Sequence, residues 1–245
     1  MDKISVILRT RNEEKWVGRV LERLFQQTHQ NFEVIVVDSG STDQTLEIVS
    51  KFPVKVIHIP SEEFTYPHAL NVGISQSSGK YLAILSAHSI PGSIEWLAQG
   101  VRHFASPNVM GVYGPQRALP GSTIWDHVFH TKWGLREYIA CFPRRYRIIR
   151  SAGMGVMGFT NAMIRRDLWE AHHFNEAYAA GGEDGEWANY WFEKNYVAVK
   201  DIDFMVYHSH NLSLSQWREQ YAYWFKLGSP HEFKRLSYRK DGPHR

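Results

Sequence analysis

Val36-Val37-Asp38-Ser39-Gly40-Ser41-Thr42-Asp43-Gln44-Thr45 carries the end of a strand, a tight polar turn and the start of a helix. Residues 32–37 are apolar except at Glu33, and 34–37 are all β-branched, the composition of a strand covered on both faces. Gly40 between two serines marks the turn, and Leu46, Ile48 and Val49 suggest a helix that stops before Pro53. On the N-terminal side, Ile4-Ser5-Val6-Ile7-Leu8 forms a second apolar run. It is followed by Trp16, Val17, Val20, Leu21, Leu24 and Phe25 at helical spacing. On the other side come a strand at 54–59, a helix at 67–76 and a strand at 80–85, then a helix at 93–104 and a strand at 109–115. Alternation with short connections predicts an α/β fold: a Rossmann-like, mixed but mostly parallel sheet with helices on both faces.

Ligands of such sheets bind beyond the carboxyl ends of the strands. Those ends hold Arg9-Thr10-Arg11-Asn12, Asp38-Ser39-Gly40-Ser41 and Ser86-Ala87-His88. After residue 116 the pattern is less regular. A helix is expected over 123–140, a glycine-rich turn over 151–158 and a strand near 161–165, with Asp167 as N-cap of a brief helix. Gly181-Gly182-Glu183-Asp184-Gly185 opens a helix carrying Trp187 and Trp191. A strand pair is read over 197–207, and Ser213 or Ser215 caps a final helix with Trp217, Tyr221 and Trp224 on one side. No repeat or linker divides the chain, so 1–245 reads as one domain.

Composition bounds the function. The chain has 245 residues with 43% hydrophobic and 22% charged content, which describes a folded protein. A net charge of +3 is too small to imply nucleic acid, and no recognition motif for it is present. The single cysteine, Cys141, excludes an intrachain disulfide and suits a reducing compartment. With no basic-then-apolar leader and no apolar run near the roughly 20 residues of a bilayer span, the expected location is cytoplasmic. A peripheral position on the inner face of the cell membrane stays open.

Several side chains could carry chemistry. Asp38 ends a strand where it could accept hydrogen bonds from a ligand, whereas Asp43 reads better as a helix cap. There is no G-x-G-x-x-G after the first strand and no P-loop, so the usual dinucleotide and P-loop readings lack support. Arg9 and Arg11 could meet phosphates there instead. Glu183 and Asp184 form a carboxylate pair at a helix N-terminus; one reading is helix capping, the other a general base for a hydroxyl nucleophile. His88, His208 and His210 are metal-ligand candidates, the last two on one side if their strand persists. Arg144, Arg145, Arg147 and Arg150 read either as a solvated face or as diphosphate-binding. The C-terminal cluster Lys234, Arg235, Arg239, Lys240 and Arg245 reads as a frayed tail or a membrane-surface contact.

Taken in order, these features resemble GT-A glycosyltransferases of family 2. The matching pieces are Ser5 to Glu14, the link from Gln27-Thr28 to Asn31-Phe32-Glu33, Val36 to Thr45, and Ala69-Leu70-Asn71-Val72-Gly73. Gly79 to Leu85, Gly158-Phe159-Thr160-Asn161-Ala162 and Gly182-Glu183-Asp184 follow. The resemblance implies a nucleotide-binding half over 1–116, an acceptor-binding half over 117–210 and an aromatic helix with a basic tail over 211–245. It implies that Asp38 binds the base of a UDP- or dTDP-sugar, with Thr10, Arg11, Glu13, Asn71 and Ser86 around the nucleotide. It implies an inverting transfer to a hydroxyl of a glycan or lipid-linked glycan, Asp184 as base and Glu183 in support. Where the family usually has Asp-x-Asp, this chain has Ser86-Ala87-His88. A divalent metal is still expected on His88 with His208 or His210, Mn²⁺ favoured over Mg²⁺. The alternative is a protein that binds nucleotide-sugars without transferring them, as a partner or regulator. The C-terminal helix is expected to pack on the core, or else to serve a membrane surface or a homo-oligomer.

Overall fold

The structure, a computed structural model, describes residues 1–227 apart from Met154 and Ala180, and only the backbone of 131–134 and 224–227. The first half runs β1 (Ile4–Thr10), α1 (Val17–Phe25), β2 (Phe32–Asp38), α2 (Thr45–Val49), β3 (Lys55–His58) and α3 (Tyr66–Ser75). It continues with β4 (Tyr81–Ser86), β5 (Ile90–Pro91), α4 (Trp96–Val101), β6 (Val109–Tyr113) and β7 (Gln116–Arg117). The second half adds α5 (Ile124–Cys141), β8 (Tyr146–Ile149), β9 (Asn161–Arg165), α6 (Arg166–Ala171) and α7 (Glu183–Glu193). Then come β10 (Val197–Asp201), β11 (Val206–Tyr207) and α8 (Leu214–Leu227).

β1 is the hub of an eight-stranded sheet in the order β3-β2-β1-β4-β9-β6-β10-β8. It pairs in parallel with β2 on one side and β4 on the other. Helices cover both of its faces, so Ile4, Val6, Ile7 and Leu8 are all fully buried, which is why the strand reads as a continuous apolar run. Val20, Leu21 and Leu24 of α1 and Trp96 of α4 pack on one face; Leu70 of α3, Trp169 of α6 and Trp187 of α7 pack on the other. Because the chain builds β2 and β3 to one side of β1 and then places β4 on the other, the order reverses between β1 and β4. The carboxyl ends of these two strands therefore flank a crevice.

The layers are tight at Gly73 of α3. A Cβ there would lie 2.7 Å from Val37 Cγ2 and 2.8 Å from Ile7 Cγ2, so the helix approaches β1 and β2 only because the side chain is missing. Gly73→Val is expected to destabilise by about 1–3 kcal/mol through overpacking, read as a lower urea midpoint at unchanged m-value.

β9 enters antiparallel between β4 and β6, and β8 closes the edge antiparallel to β10. Two expectations need correction, and the Ser213 cap holds. The signal over 197–207 divides into β10 and β11, which do not pair with each other. β10 lies buried in the main sheet, and the chain then turns away at Phe204, whose ring stacks on Trp96 at 4.7 Å. Asp167 lies in the first turn of α6, not at its cap. Arg165 ends β9 and leads straight into the helix, so it occupies the N-cap position. α8 is capped reciprocally by Ser213 and Gln216: Ser213 N donates to Gln216 Oε1 at 2.9 Å and Gln216 N to Ser213 Oγ at 3.4 Å. α8 then docks on α5, with Trp217 Nε1 donating to Asp126 Oδ1 at 2.8 Å. The side chain of Trp224, and all of Lys234, Arg235, Arg239, Lys240 and Arg245, lie outside the described residues.

Candidate active site

The loops after β1 and β2 are laced together by the residues that make both segments recognisable. Asp38 Oδ2 accepts from the backbone N of Gly40 and of Ser41, each at 3.1 Å, and Oδ1 accepts from the Ser41 hydroxyl. Gly40 takes φ +83°, a conformation glycine adopts without strain, which lets the turn close over the carboxylate. Asn12 Oδ1 accepts from Thr42 N at 2.8 Å, Thr45 Oγ1 from Glu13 N at 2.7 Å, and Asp43 Oδ2 from Glu14 N at 3.1 Å. Much of this polar sequence thus builds the crevice wall. Asp43 also accepts from Thr45 N at 3.0 Å, close to the capping role expected of it. Two groups in the wall retain binding capacity. The Thr10 hydroxyl is buried and has no protein partner, and Asp38 uses three of a carboxylate's roughly four acceptor sites. Arg11 sits half-buried in the same wall.

Across the crevice, two-residue strands assemble the histidines. β5 pairs antiparallel with β11 in the register Ile90↔Tyr207, so the residues flanking that pair, Ser89 and His208, meet. Ser89 Oγ lies 2.9 Å from His208 Nδ1, and the His208 ring stacks on His88 at 4.6 Å. β11 ends at Tyr207, so strand alternation does not align His208 with His210. The irregular segment after β11 brings them together instead, with their Nε2 atoms 3.0 Å apart. One ligand atom from each of His88, His208 and His210 falls within 4.8 Å of the others. Glu13 Oε1 lies 2.6 Å from His88 Nδ1, and Ser86 Oγ lies 3.2 Å from the same nitrogen. Glu13, expected at the nucleoside, therefore holds a histidine, in the way an outer-shell carboxylate orients a metal ligand. Burial, followed by the charges of His88 and His210, pushes His208 well below the usual histidine range and keeps it in the neutral, ligating form. Three imidazoles with two Nδ1 atoms already engaged fit a divalent transition ion better than Mg²⁺.

The carboxylate pair lies at the start of α7, whose N-cap Gly182 has φ 99°. Glu183 is buried and Asp184 half-buried. Asp184 Oδ1 accepts from Gly185 N at 2.7 Å, while Oδ2 faces Gly158, where a Cβ would lie 3.9 Å away. Both carboxyls are raised above the ordinary range, chiefly by burial; their mutual repulsion adds to this at Glu183, and the Arg9 guanidinium opposes it. Burial thus favours the protonated form at both carboxyls, and at Glu183 the neighbouring charge adds to it.

Arg9, Tyr66 and Tyr223 complete this end of the site. Arg9 points to the α7 side of the sheet, lies over the Tyr66 ring at 5.0 Å, and has one buried guanidinium nitrogen without a protein partner. Tyr223 of α8 is raised mainly by burial, then by the charges of Tyr66 and Glu183, which puts the last helix within electrostatic range of the carboxylates. The sequence marked Arg9 by its place at the end of the first strand, as a phosphate contact; nothing in it pointed to Tyr223.

Other expected residues lie elsewhere. Asn71 ties α3 to the segment after α6. Its Nδ2 donates to Phe174 O at 2.8 Å and Glu176 Oε1 at 3.0 Å, and its Oδ1 accepts from Trp169 Nε1 and Phe174 N. All four hydrogen-bonding positions of this amide are thereby filled within the protein. The arginines do not gather at the crevice. β8 is the far edge strand, five strand spacings or about 24 Å from β1. Arg145 forks onto Asp203, Arg147 pairs with Glu137 at 3.1 Å, and the antiparallel course of β8 leaves Arg150 at the opposite end of the sheet from Arg144.

Known proteins sharpen this description. The family described as Glycosyl transferase family 2 matches residues 5–172. Glycosyltransferase GlyA of Streptococcus pneumoniae is 32% identical over 235 residues, covering 93% of this chain and 31% of that protein. Glycosyltransferase GlyG of the same organism is 35% identical over 117 residues, covering 45% of the chain and 38% of that protein. The chain thus spans about a third of the length of these two relatives. A mannosyltransferase from Pyrobaculum calidifontis, in complex with GDP-Man and Mn²⁺, superposes with TM-score 0.67 at 20% identity, covering 93% of this chain and 63% of that one. S. aureus TarS 1-349 in complex with UDP-GlcNAc gives 0.58 at 21% identity, covering 84% and 58%. These two likenesses show the shared GT-A fold.

Proposed function

The chain belongs to glycosyl transferase family 2, and from that premise we propose that it moves a sugar from a nucleoside-diphosphate donor to a hydroxyl, with inversion at the anomeric carbon. The observation that carries this reading is the Glu183–Asp184 pair. It presents a half-buried carboxylate of raised basicity at a helix N-terminus that Tyr223 and Arg9 enclose. In this account Asp184 takes the proton of the acceptor hydroxyl as its oxygen bonds to the anomeric carbon. The bond from that carbon to the diphosphate breaks in the same displacement, and the nucleoside diphosphate leaves. In this account Glu183, pushed up to about 8 by burial and then by Asp184, keeps its proton and leaves the negative charge on its neighbour.

The donor occupies the β1/β4 crevice. Its base, uracil or thymine, meets the remaining acceptor site of Asp38, and the Thr10 hydroxyl gains the partner it lacks. Ser86 and Arg11 line the path of the diphosphate, while Glu13 and Asn71 act as positioning residues. His88, His208 and His210 hold a divalent ion, Mn²⁺ in preference to Mg²⁺, which when bound neutralises charge on the diphosphate. The acceptor is a glycan or lipid-linked glycan.

A thermal-shift screen of UDP-, dTDP- and GDP-sugars, with and without Mn²⁺, tests the donor. One nucleotide class is expected to stabilise the protein by about 2.7 kcal/mol at a hundred times its Kd, with a larger effect when Mn²⁺ is present. No shift with any donor would remove the proposal; tight binding with neither hydrolysis nor transfer would point to a binding-only protein.

A further inference from the structure

Helix α5 is built inside out. Asp126 is buried under Trp217, Glu137 turns inward onto Lys200 at 2.8 Å and Arg147 at 3.1 Å, and Cys141 is buried. The opposite face carries Ile124, Val128, Leu135 and Ile139 at helical spacing, continued by Phe142 just past the helix end. Ile124 is 72% exposed, Leu135 62%, Ile139 66% and Phe142 73%, and Trp125 stands beside them. A solvent-facing aliphatic and aromatic row of this length marks an interaction surface, because the core formed by the described residues leaves it exposed. Arg136 and Arg144 lie exposed next to the row, while Glu137, which follows Arg136 in the chain, is engaged as above and Asp203 is held by Arg145.

We propose that this face of α5, with Arg136 and Arg144, docks the protein on an anionic bilayer surface. The aliphatic side chains enter the boundary between headgroups and acyl chains, and the guanidiniums remain at the level of lipid phosphates. A second copy of the chain would cover the apolar row but would offer these guanidiniums only its own positive face, whereas acidic lipid matches both features. The row lies on the face of α5 opposite His130, the residue of this helix whose charge acts on His208, so donor binding is expected to be independent of it.

Co-sedimentation of the full chain with phosphatidylcholine vesicles, with and without phosphatidylglycerol, tests the inference. Binding is expected to be at least about tenfold tighter to the anionic vesicles. Ile139→Glu with Phe142→Glu is expected to lower that binding by about tenfold or more, and Arg136→Ser with Arg144→Ser to abolish the preference for phosphatidylglycerol. Because these side chains are exposed, both variants should keep the wild-type thermal midpoint. The inference is overturned if wild type stays in the supernatant with both vesicles, or if both variants bind like wild type. It is also overturned if light scattering shows a dimer that Ile139→Glu with Phe142→Glu dissociates.

Discussion

Asp184→Asn is expected to lower kcat by about 10²- to 10⁴-fold and to leave nucleotide affinity unchanged. The amide keeps the size of the side chain and can still accept from Gly185 N, so the start of α7 should stay in place. What it loses is the capacity to take a proton. The pH profile carries a second signature. Burial raises the Asp184 carboxyl above the ordinary aspartate range of about 3.9, and a base works only when ionised. The rate should therefore rise with pH along a limb displaced upward from that range, and the limb should vanish in the variant's residual activity. Wild-type turnover in Asp184→Asn would remove this residue from the base role.

The second large effect is expected at the histidines. His208→Ala should weaken Mn²⁺ binding by more than about 100-fold in a calorimetric titration, beyond the 10- to 100-fold typical of losing an outer-shell partner. His208 is buried and holds Ser89, so its removal also disturbs packing. His210→Ala at the exposed end of the cluster separates the two effects, because it removes a ligand without opening the core. Equal loss of affinity in both variants, with His210→Ala unfolding at the wild-type temperature, supports a shared metal site. An unchanged titration in both would exclude these residues as ligands.

The parallel core was legible in the sequence because strands buried on both faces have little freedom of composition. The runs at 4–8, 32–37 and 80–85 correspond to β1, β2 and β4 within a residue or two. The loops beyond them were legible for a related reason, since Asp38 accepts from Gly40 N within its own turn while Asn12 and Thr45 accept from Thr42 N and Glu13 N across the two segments. Pairings that depend on distant partners were not legible. β5, β7 and β11 span two residues each and show no periodicity, yet their register sets Ser89 against His208. Arg144, Arg145, Arg147 and Arg150 are neighbours along the chain, but an antiparallel edge strand spreads them from one end of the sheet to the other. Asn71 was placed at the nucleotide by the family resemblance; its protein partners, Trp169, Phe174 and Glu176, lie about a hundred residues away, where local sequence gives no sign of them. Arg9 needed the alternation of β1 to be projected onto α7, a helix that the second half supplies.

The most direct test of the central claim is the configuration of the sugar released when water replaces the acceptor. With whichever donor stabilises the protein, NMR recorded before mutarotation reports the first anomer formed. A single displacement assisted by Asp184 predicts the configuration opposite to that of the donor. A sugar that first appears with the donor's own configuration would contradict it.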